Sequence, residues 1–220
     1  MKAIVLMSGG LDSTVILALA LQKKRECLSI SFDYNQRHLV ELESAKAITA
    51  HYGVKHKIIT LDRSIFAGSS LLKNETISVP KNRSADEIKT AGTPTTYVPA
   101  RNTIFLSLAL AQAEIFEAEE IYIGPNALDT VYPDCSQKFI DAFQSVINVA
   151  TKQAVNGNPP KLIAPLLQLN KMQIIALGKQ LQAPLGLSFS CYDPVEDKPC
   201  GLCDACCLRN TAFKSCFSTL

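Results

Sequence analysis

The chain has 220 residues, of which 47% are hydrophobic and 19% charged, and a formal net charge of +2. A chain of this length buries a core without a disulfide framework, so the make-up is that of one globular domain and excludes a disordered tail protein. No run of five or more like charges occurs; the electrostatic footprint of a nucleic-acid binder is missing, and a small polar substrate is expected instead.

The opening apolar run, Met1 to Leu6, meets Ser8-Gly9-Gly10 almost at once. It is too short for a signal-peptide core or a membrane span, which predicts a soluble cytoplasmic protein with no membrane partner. Eight cysteines, five of them between Cys191 and Cys207, then read as metal ligands or redox groups, because a reducing compartment disfavours disulfides.

A short strand over Ala3 to Met7, a glycine turn, a helix over Thr14 to Lys24 and a second strand over Cys27 to Phe32 make a βαβ unit. A helix over Leu39 to Tyr52, closed by Gly53, and a strand over His56 to Leu61 repeat the pattern. Residues 62–96, rich in Ser, Thr, Asn and Lys, show no sustained period and read as a surface excursion that orders over a substrate. Alternation resumes with a helix over Asn102 to Phe116, a strand over Glu120 to Gly124, a helix over Ser136 to Thr151, a strand over Leu162 to Pro165 and a helix over Lys171 to Leu181. The prediction is an α/β fold with a doubly wound, mostly parallel sheet over residues 1–184. A compact metal-binding tail over residues 185–220 packs on it.

The loop Ser8-Gly9-Gly10-Leu11-Asp12-Ser13 joins a buried strand to a helix. Such a junction places backbone N–H groups and a helix N-terminus at the carboxyl edge of the sheet, where anions bind. The glycines allow close approach, and the hydroxyls of Ser8, Ser13 and Thr14 add donors. Asp12 beside phosphates calls for a bridging Mg²⁺. Neither a Walker A ending nor a G-x-G-x-x-G fingerprint is present. An ordinary capped turn would use similar letters, but the complete hexapeptide resembles the pyrophosphate loop of the N-type ATP pyrophosphatases, whose fold is adenine-nucleotide alpha-hydrolase-like.

Three further segments, Phe32-Asp33-Tyr34-Asn35-Gln36-Arg37-His38, Tyr97-Val98-Pro99-Ala100-Arg101-Asn102 and Tyr132-Pro133-Asp134-Cys135, are similar to those of the 7-cyano-7-deazaguanine synthases at matching places along the chain. By themselves, Arg37 and His38 also fit a polar helix start, and Asp129 and Asp134 fit turn or cap positions. Arg101 is more informative, since it opposes the dipole of the helix it opens and a guanidinium can grip phosphate or carboxylate as a fork. The sequence departs from the family pattern at Ser136-Gln137-Lys138, where a substrate contact is expected to be lost or replaced, and at Thr130-Val131, which replaces a Ser-Gly pair and predicts a stiffer loop.

In the tail, Cys191, Cys200, Cys203 and Cys206 are spaced C-x8-C-x2-C-x2-C. Four thiolates satisfy a tetrahedral Zn²⁺ and leave no open position, which predicts a structural site. An iron–sulfur run lacks its following Cys-Pro, and a thioredoxin-like pair lacks its βαβ setting. Even two-residue spacing favours Cys206 over Cys207. Cys27 reads as a core residue, and Cys135 has no histidine base beside it in the sequence and is not assigned as a nucleophile.

The resemblance implies an ATP-dependent ligase of queuosine biosynthesis that converts 7-carboxy-7-deazaguanine and ammonia to 7-cyano-7-deazaguanine, as a homodimer. It implies that Ser8, Gly9, Gly10, Leu11, Asp12, Ser13 and Thr14 hold ATP with Mg²⁺, and that Asp12, Ser13 and Arg101 serve catalysis. Arg37, His38, Arg101, Asp129 and Asp134 would contact substrate. The alternatives are a larger amidating synthetase or tRNA sulfur-transfer enzyme of the same superfamily, a non-catalytic nucleotide- or zinc-dependent module, and an iron–sulfur protein.

Overall fold

A computed structural model describes residues 1–73, 75–90 and 92–217. Strands β1 (Lys2–Leu6), β2 (Glu26–Asp33), β3 (Lys55–Thr60), β4 (Glu120–Tyr122) and β5 (Lys161–Ile163) form one sheet in the order β3-β2-β1-β4-β5. Every pairing is parallel. The pleat of β1 sends Ala3, Val5 and Met7 into one core cluster and Ile4 into the other, so both faces of the sheet are covered.

One face carries α1 (Leu11–Gln22), α2 (Val40–His51) and α7 (Lys171–Gln180), packed through Val15, Ile16, Ile48, Ile174 and Ile175. The other carries α4 (Arg101–Phe116) and α5 (Gln137–Ala150), packed through Leu106, Leu110, Ile140, Phe143 and Ile147. The chain winds outward from β1 to β3 and then returns to pair β4 against the free side of β1. That reversal opens a crevice at the carboxyl ends of β1 and β4, where such sheets bind ligands.

Two short helices lie outside the expected pattern. The excursion contains α3 (Ala85–Thr90), and α6 (Lys152–Val155) follows α5. The tail ends in α8 (Asp204–Phe217), which lies against α7 and buries Ala212 in the core. Helix α1 begins three residues earlier than expected, with Gly10 as its N-cap, so Asp12 and Ser13 occupy its first turn. No helix among the described residues is long and apolar enough to cross a membrane.

Candidate active site

Gly9 sets the shape of the loop after β1. Its φ is +87°, and a Cβ there would lie 2.0 Å from the Glu41 carbonyl oxygen at the start of α2. Only glycine fits both demands. Beyond it, Gly10 N donates to Ser8 Oγ (3.1 Å), and the Ser8 and Ser13 hydroxyls share a hydrogen bond of 3.1 Å. Thr14 turns inward, donating its hydroxyl to Gly10 O at 2.8 Å, and is fully buried. Ser8, Gly10, Leu11, Asp12 and Ser13 line a cavity at the crevice; Gly9 and Thr14 shape the loop from behind.

Asp12 is held by two residues that the sequence reading did not single out. Lys171, the first residue of α7, places Nζ 2.6 Å from Asp12 Oδ2, and Asn126 Nδ2 donates to the same oxygen at 3.2 Å. Asp12 Oδ1 is buried without a hydrogen-bond partner among the described residues, which fits a cation at that atom. Asn126 also donates from Nδ2 (2.6 Å) and from its backbone N (2.9 Å) to Asp129 Oδ2. Burial pushes the Asp129 carboxyl up to about 6, with Lys171 opposing the shift and Asp12 adding to it. The only sequence signal for Asn126 and Lys171 is position: Asn126 follows β4 at the crevice, and Lys171 opens a helix after β5.

Arg101 opens α4, where Ala100 in a left-handed conformation offers no side-chain cap. Asp134 takes over that task from a distant loop, its Oδ2 accepting from Asn102 N at 2.9 Å. Among the described residues Asp134 Oδ1 receives only the Cys135 thiol, at 4.0 Å. A carboxylate therefore answers the helix dipole that Arg101 opposes. Burial works against the Arg101 charge, but Tyr34, Cys135 and Asp134 outweigh it and raise its pKa. The guanidinium lies 5.9 Å over the Phe105 ring, which itself stacks on Phe32 at 4.0 Å. Burial pushes the Cys135 thiol up to about 12, which favours its protonated form.

His38 also lines the cavity, with Nε2 3.5 Å from Glu41 Oε2. Burial, then Arg101, lowers the imidazole to about 3, and burial raises Glu41 well above the ordinary range. Both shifts favour the uncharged forms of the two side chains. Arg37 is not brought to the cavity: its Nε donates to Leu72 O (3.1 Å) and its Nη2 to Glu75 O (2.6 Å) and Ile77 O (3.3 Å). It pins the excursion, which supplies Arg83, Ile88, Pro94 and Thr96 to the cavity wall, continued by Tyr97 and Val98 just beyond it. Ser136 caps α5 by accepting from Phe139 N at 3.2 Å, and Gln137 bonds Asp141 along that helix. Divergence there changes a helix start rather than the cavity wall, although Val131 does line it; the Thr130 side chain lies outside the described residues.

The Sγ atoms of Cys191, Cys200, Cys203 and Cys206 all lie within 4.8 Å of one another. A tetrahedral ion with metal–sulfur bonds of about 2.3 Å sets sulfurs roughly 3.8 Å apart; Cys191–Cys203 and Cys200–Cys206 stand at 4.0 Å, too far for disulfides. Backbone N–H groups of Tyr192, Cys200 and Cys203 point at three of these sulfurs at 3.3–3.4 Å, a setting that favours thiolates. The donor set fits a four-coordinate metal. Cys207 stays outside, its thiol directed to Leu202 O at 3.4 Å.

The fold joins a doubly wound parallel sheet, a glycine-bearing strand-to-helix loop at its switch point and a four-cysteine cluster. Residues 2–217 match the model of the family described as queuosine biosynthesis protein QueC, and the chain belongs to that family. The 7-cyano-7-deazaguanine synthase of Trichormus variabilis is 49% identical over 215 residues, covering 97% of this chain and 93% of the relative. Among solved structures, the U34-tRNA thiolase NcsA of Methanococcus maripaludis, with its [4Fe-4S] cluster, superposes with a TM-score of 0.52 at 16% identity. That match covers 96% of this chain, which spans 64% of the thiolase. The NMN synthetase of Francisella tularensis gives 0.50 at 16% identity over 91% of this chain and 70% of its own. At such identities these two likenesses concern the fold alone.

Proposed function

We propose that the chain is an ATP-dependent carbon–nitrogen ligase that makes 7-cyano-7-deazaguanine from 7-carboxy-7-deazaguanine and ammonia in queuosine biosynthesis. Near-complete alignment at 49% identity with a synthase of that name supports the reaction. The observation that carries the site is the Asp12 carboxylate, one oxygen held by Lys171 and Asn126 and the other buried without a partner in the first turn of α1.

A carboxylate resists attack by ammonia because oxide is a poor leaving group. Its oxygen displaces pyrophosphate from the α-phosphorus of ATP, giving an acyl adenylate; ammonia then adds at the acyl carbon, and AMP and a proton leave to give the amide. Activation of the amide oxygen in the same way lets AMP depart with the remaining N–H protons, leaving the nitrile. The hydroxyls of Ser8 and Ser13, the backbone N–H groups of Asp12 and Ser13 and the ammonium of Lys171 receive the phosphates. Mg²⁺ at Asp12 would neutralise phosphate charge. Arg101 stabilises charge on the reacting carboxylate, while the Oδ1 atoms of Asp129 and Asp134 accept from ring N–H and amino groups of the deazapurine. His38 closes the wall, and Arg37 acts from behind by fixing the excursion.

The tail from residue 185 onward holds a structural Zn²⁺, and the enzyme works as a cytoplasmic homodimer. Incubating the protein with Mg-ATP and ammonium and measuring nucleotide products tests the activation chemistry. AMP and pyrophosphate released only when the carboxylate base is added support it; release of ADP and phosphate refutes adenylation.

A further inference from the structure

The segment bearing the first cysteine ligand lies directly on the anion-binding loop. Phe189 N donates to Gly9 O at 2.9 Å, and Leu11 N, at the start of α1, donates to Ser190 Oγ at 3.3 Å. Cys206 directs its thiol to Ser190 O at 3.7 Å. Behind these contacts stands Arg209, from the middle of α8. Its Nη1 donates to Ser188 Oγ (2.8 Å) and Ser190 Oγ (3.4 Å), and its Nη2 to Leu185 O (3.2 Å). A guanidinium has five donors, so these bonds leave capacity for an anion.

Arg209 lines the same cavity as Ser8, Ser13 and Lys171. Lys171 has Asp12 as its ion-pair partner, whereas among the described residues no carboxylate comes within ion-pair distance of Arg209. A partly buried cation with no counter-charge costs desolvation unless a ligand supplies one. Contacts to serines, a carbonyl and the Phe213 ring, 4.6 Å from the guanidinium, fix the position of Arg209 but give it no hydrogen-bonded anion.

We propose that Arg209 binds the phosphates of the nucleotide, so that the metal-bearing tail is a working part of the nucleotide site and metal retention is coupled to nucleotide binding. This rests on the ATP reading above. Cysteine-bound metal orders the Cys191 and Cys206 segments; these seat Ser190 and α8 on the loop; Arg209 then meets the pyrophosphate portion from the side opposite the sheet-borne donors. Coupling of this kind is reciprocal, so bound nucleotide must also hold the tail and its metal.

The test compares the parent with R209Q and R209K. Affinity for a Mg²⁺-bound, non-hydrolysable ATP analogue is measured by titration calorimetry, and release of the cysteine-held metal to a colorimetric chelator is followed with and without the analogue. We expect R209Q to keep its metal and its melting temperature while binding the analogue about tenfold more weakly, as for one lost charge-assisted contact. R209K should lose less. The analogue should slow metal release from the parent and not from R209Q. R209Q that binds the analogue as tightly as the parent overturns the assignment. Should R209Q fail to fold, a parent whose metal release ignores saturating analogue overturns the coupling. A parent that binds no analogue at all instead removes the ATP reading beneath it.

Discussion

Lys171 Nζ and Asp12 Oδ2 lie 2.6 Å apart, an ion pair between the first residue of α7 and the second residue of α1. Burial opposes the Lys171 charge, but Asp12 and Asp129 outweigh it and raise its pKa. The carboxylate thus keeps one oxygen fixed while Oδ1 is buried without a hydrogen-bond partner among the described residues. Replacing Asp12 by Asn preserves shape and removes the charge. Turnover should fall on the order of 10²-fold or more, with the circular dichroism spectrum unchanged. Steady-state AMP release checks this, and an Asp12→Asn enzyme within a factor of two of the parent contradicts the assignment.

Gly9→Ala should damage the loop more than any hydroxyl deletion in it. The new methyl meets the Glu41 carbonyl at 2.0 Å and the Ala45 nitrogen at 2.8 Å, on a backbone at φ +87°. Strain of about 1–3 kcal/mol or more is expected, together with loss of ATP binding. A urea titration reads the first effect and calorimetry the second; unchanged values for both would show that α2 yields freely.

Cys191→Ser should abolish binding of about one metal per chain and lower the melting temperature, since a closed four-thiolate site contributes directly to folding. Cys207→Ser should leave both unchanged, because its thiol faces Leu202 O. Elemental analysis of the purified variants separates them. Iron with visible absorbance, in place of zinc, would replace the structural-zinc reading with a cluster.

Much of this was legible in the sequence where local rules act alone. The strand–glycine–helix junction at Ser8 to Ser13 and the tetrad from Cys191 to Cys206 are set by short-range geometry, and both appear where spacing puts them. Lys171 and Asn126 escaped because their meaning comes from strands brought together at the crevice, β1 with β4 and β4 with β5. Arg37 shows the converse limit: a guanidinium has the same letters whether it grips phosphate or three carbonyls of an irregular segment. Helix α8 was hidden because ligand cysteines interrupt its apolar period, and its first-turn Asp204 pairs with Arg83 of the excursion across the tail.

Stability against acid should carry the mark of Glu120. Burial would raise its pKa, but hydrogen bonds from Arg25 (2.7 and 2.9 Å) and Tyr122 (2.9 Å) outweigh burial and lower it below the ordinary 4.5. A depressed folded-state pKa contributes stability that is present above the unfolded value and lost as pH falls through the folded one. The parent's melting temperature should therefore drop below pH 4.5 more steeply than that of Glu120→Gln, while near neutrality the variant is the less stable. Parallel acid limbs for the two proteins would remove Glu120 from the account.

The reaction proposed for this chain converts a carboxylate to a nitrile. Purified, metal-loaded protein is incubated with Mg-ATP, ¹⁵N-labelled ammonium and 7-carboxy-7-deazaguanine, and the base is followed by mass spectrometry. A labelled 7-cyano-7-deazaguanine that forms only in the presence of ATP is the predicted result. Unchanged carboxylate base, with the protein folded, metal-loaded and binding ATP, would contradict the claim and leave an ATP-binding fold whose substrate lies elsewhere.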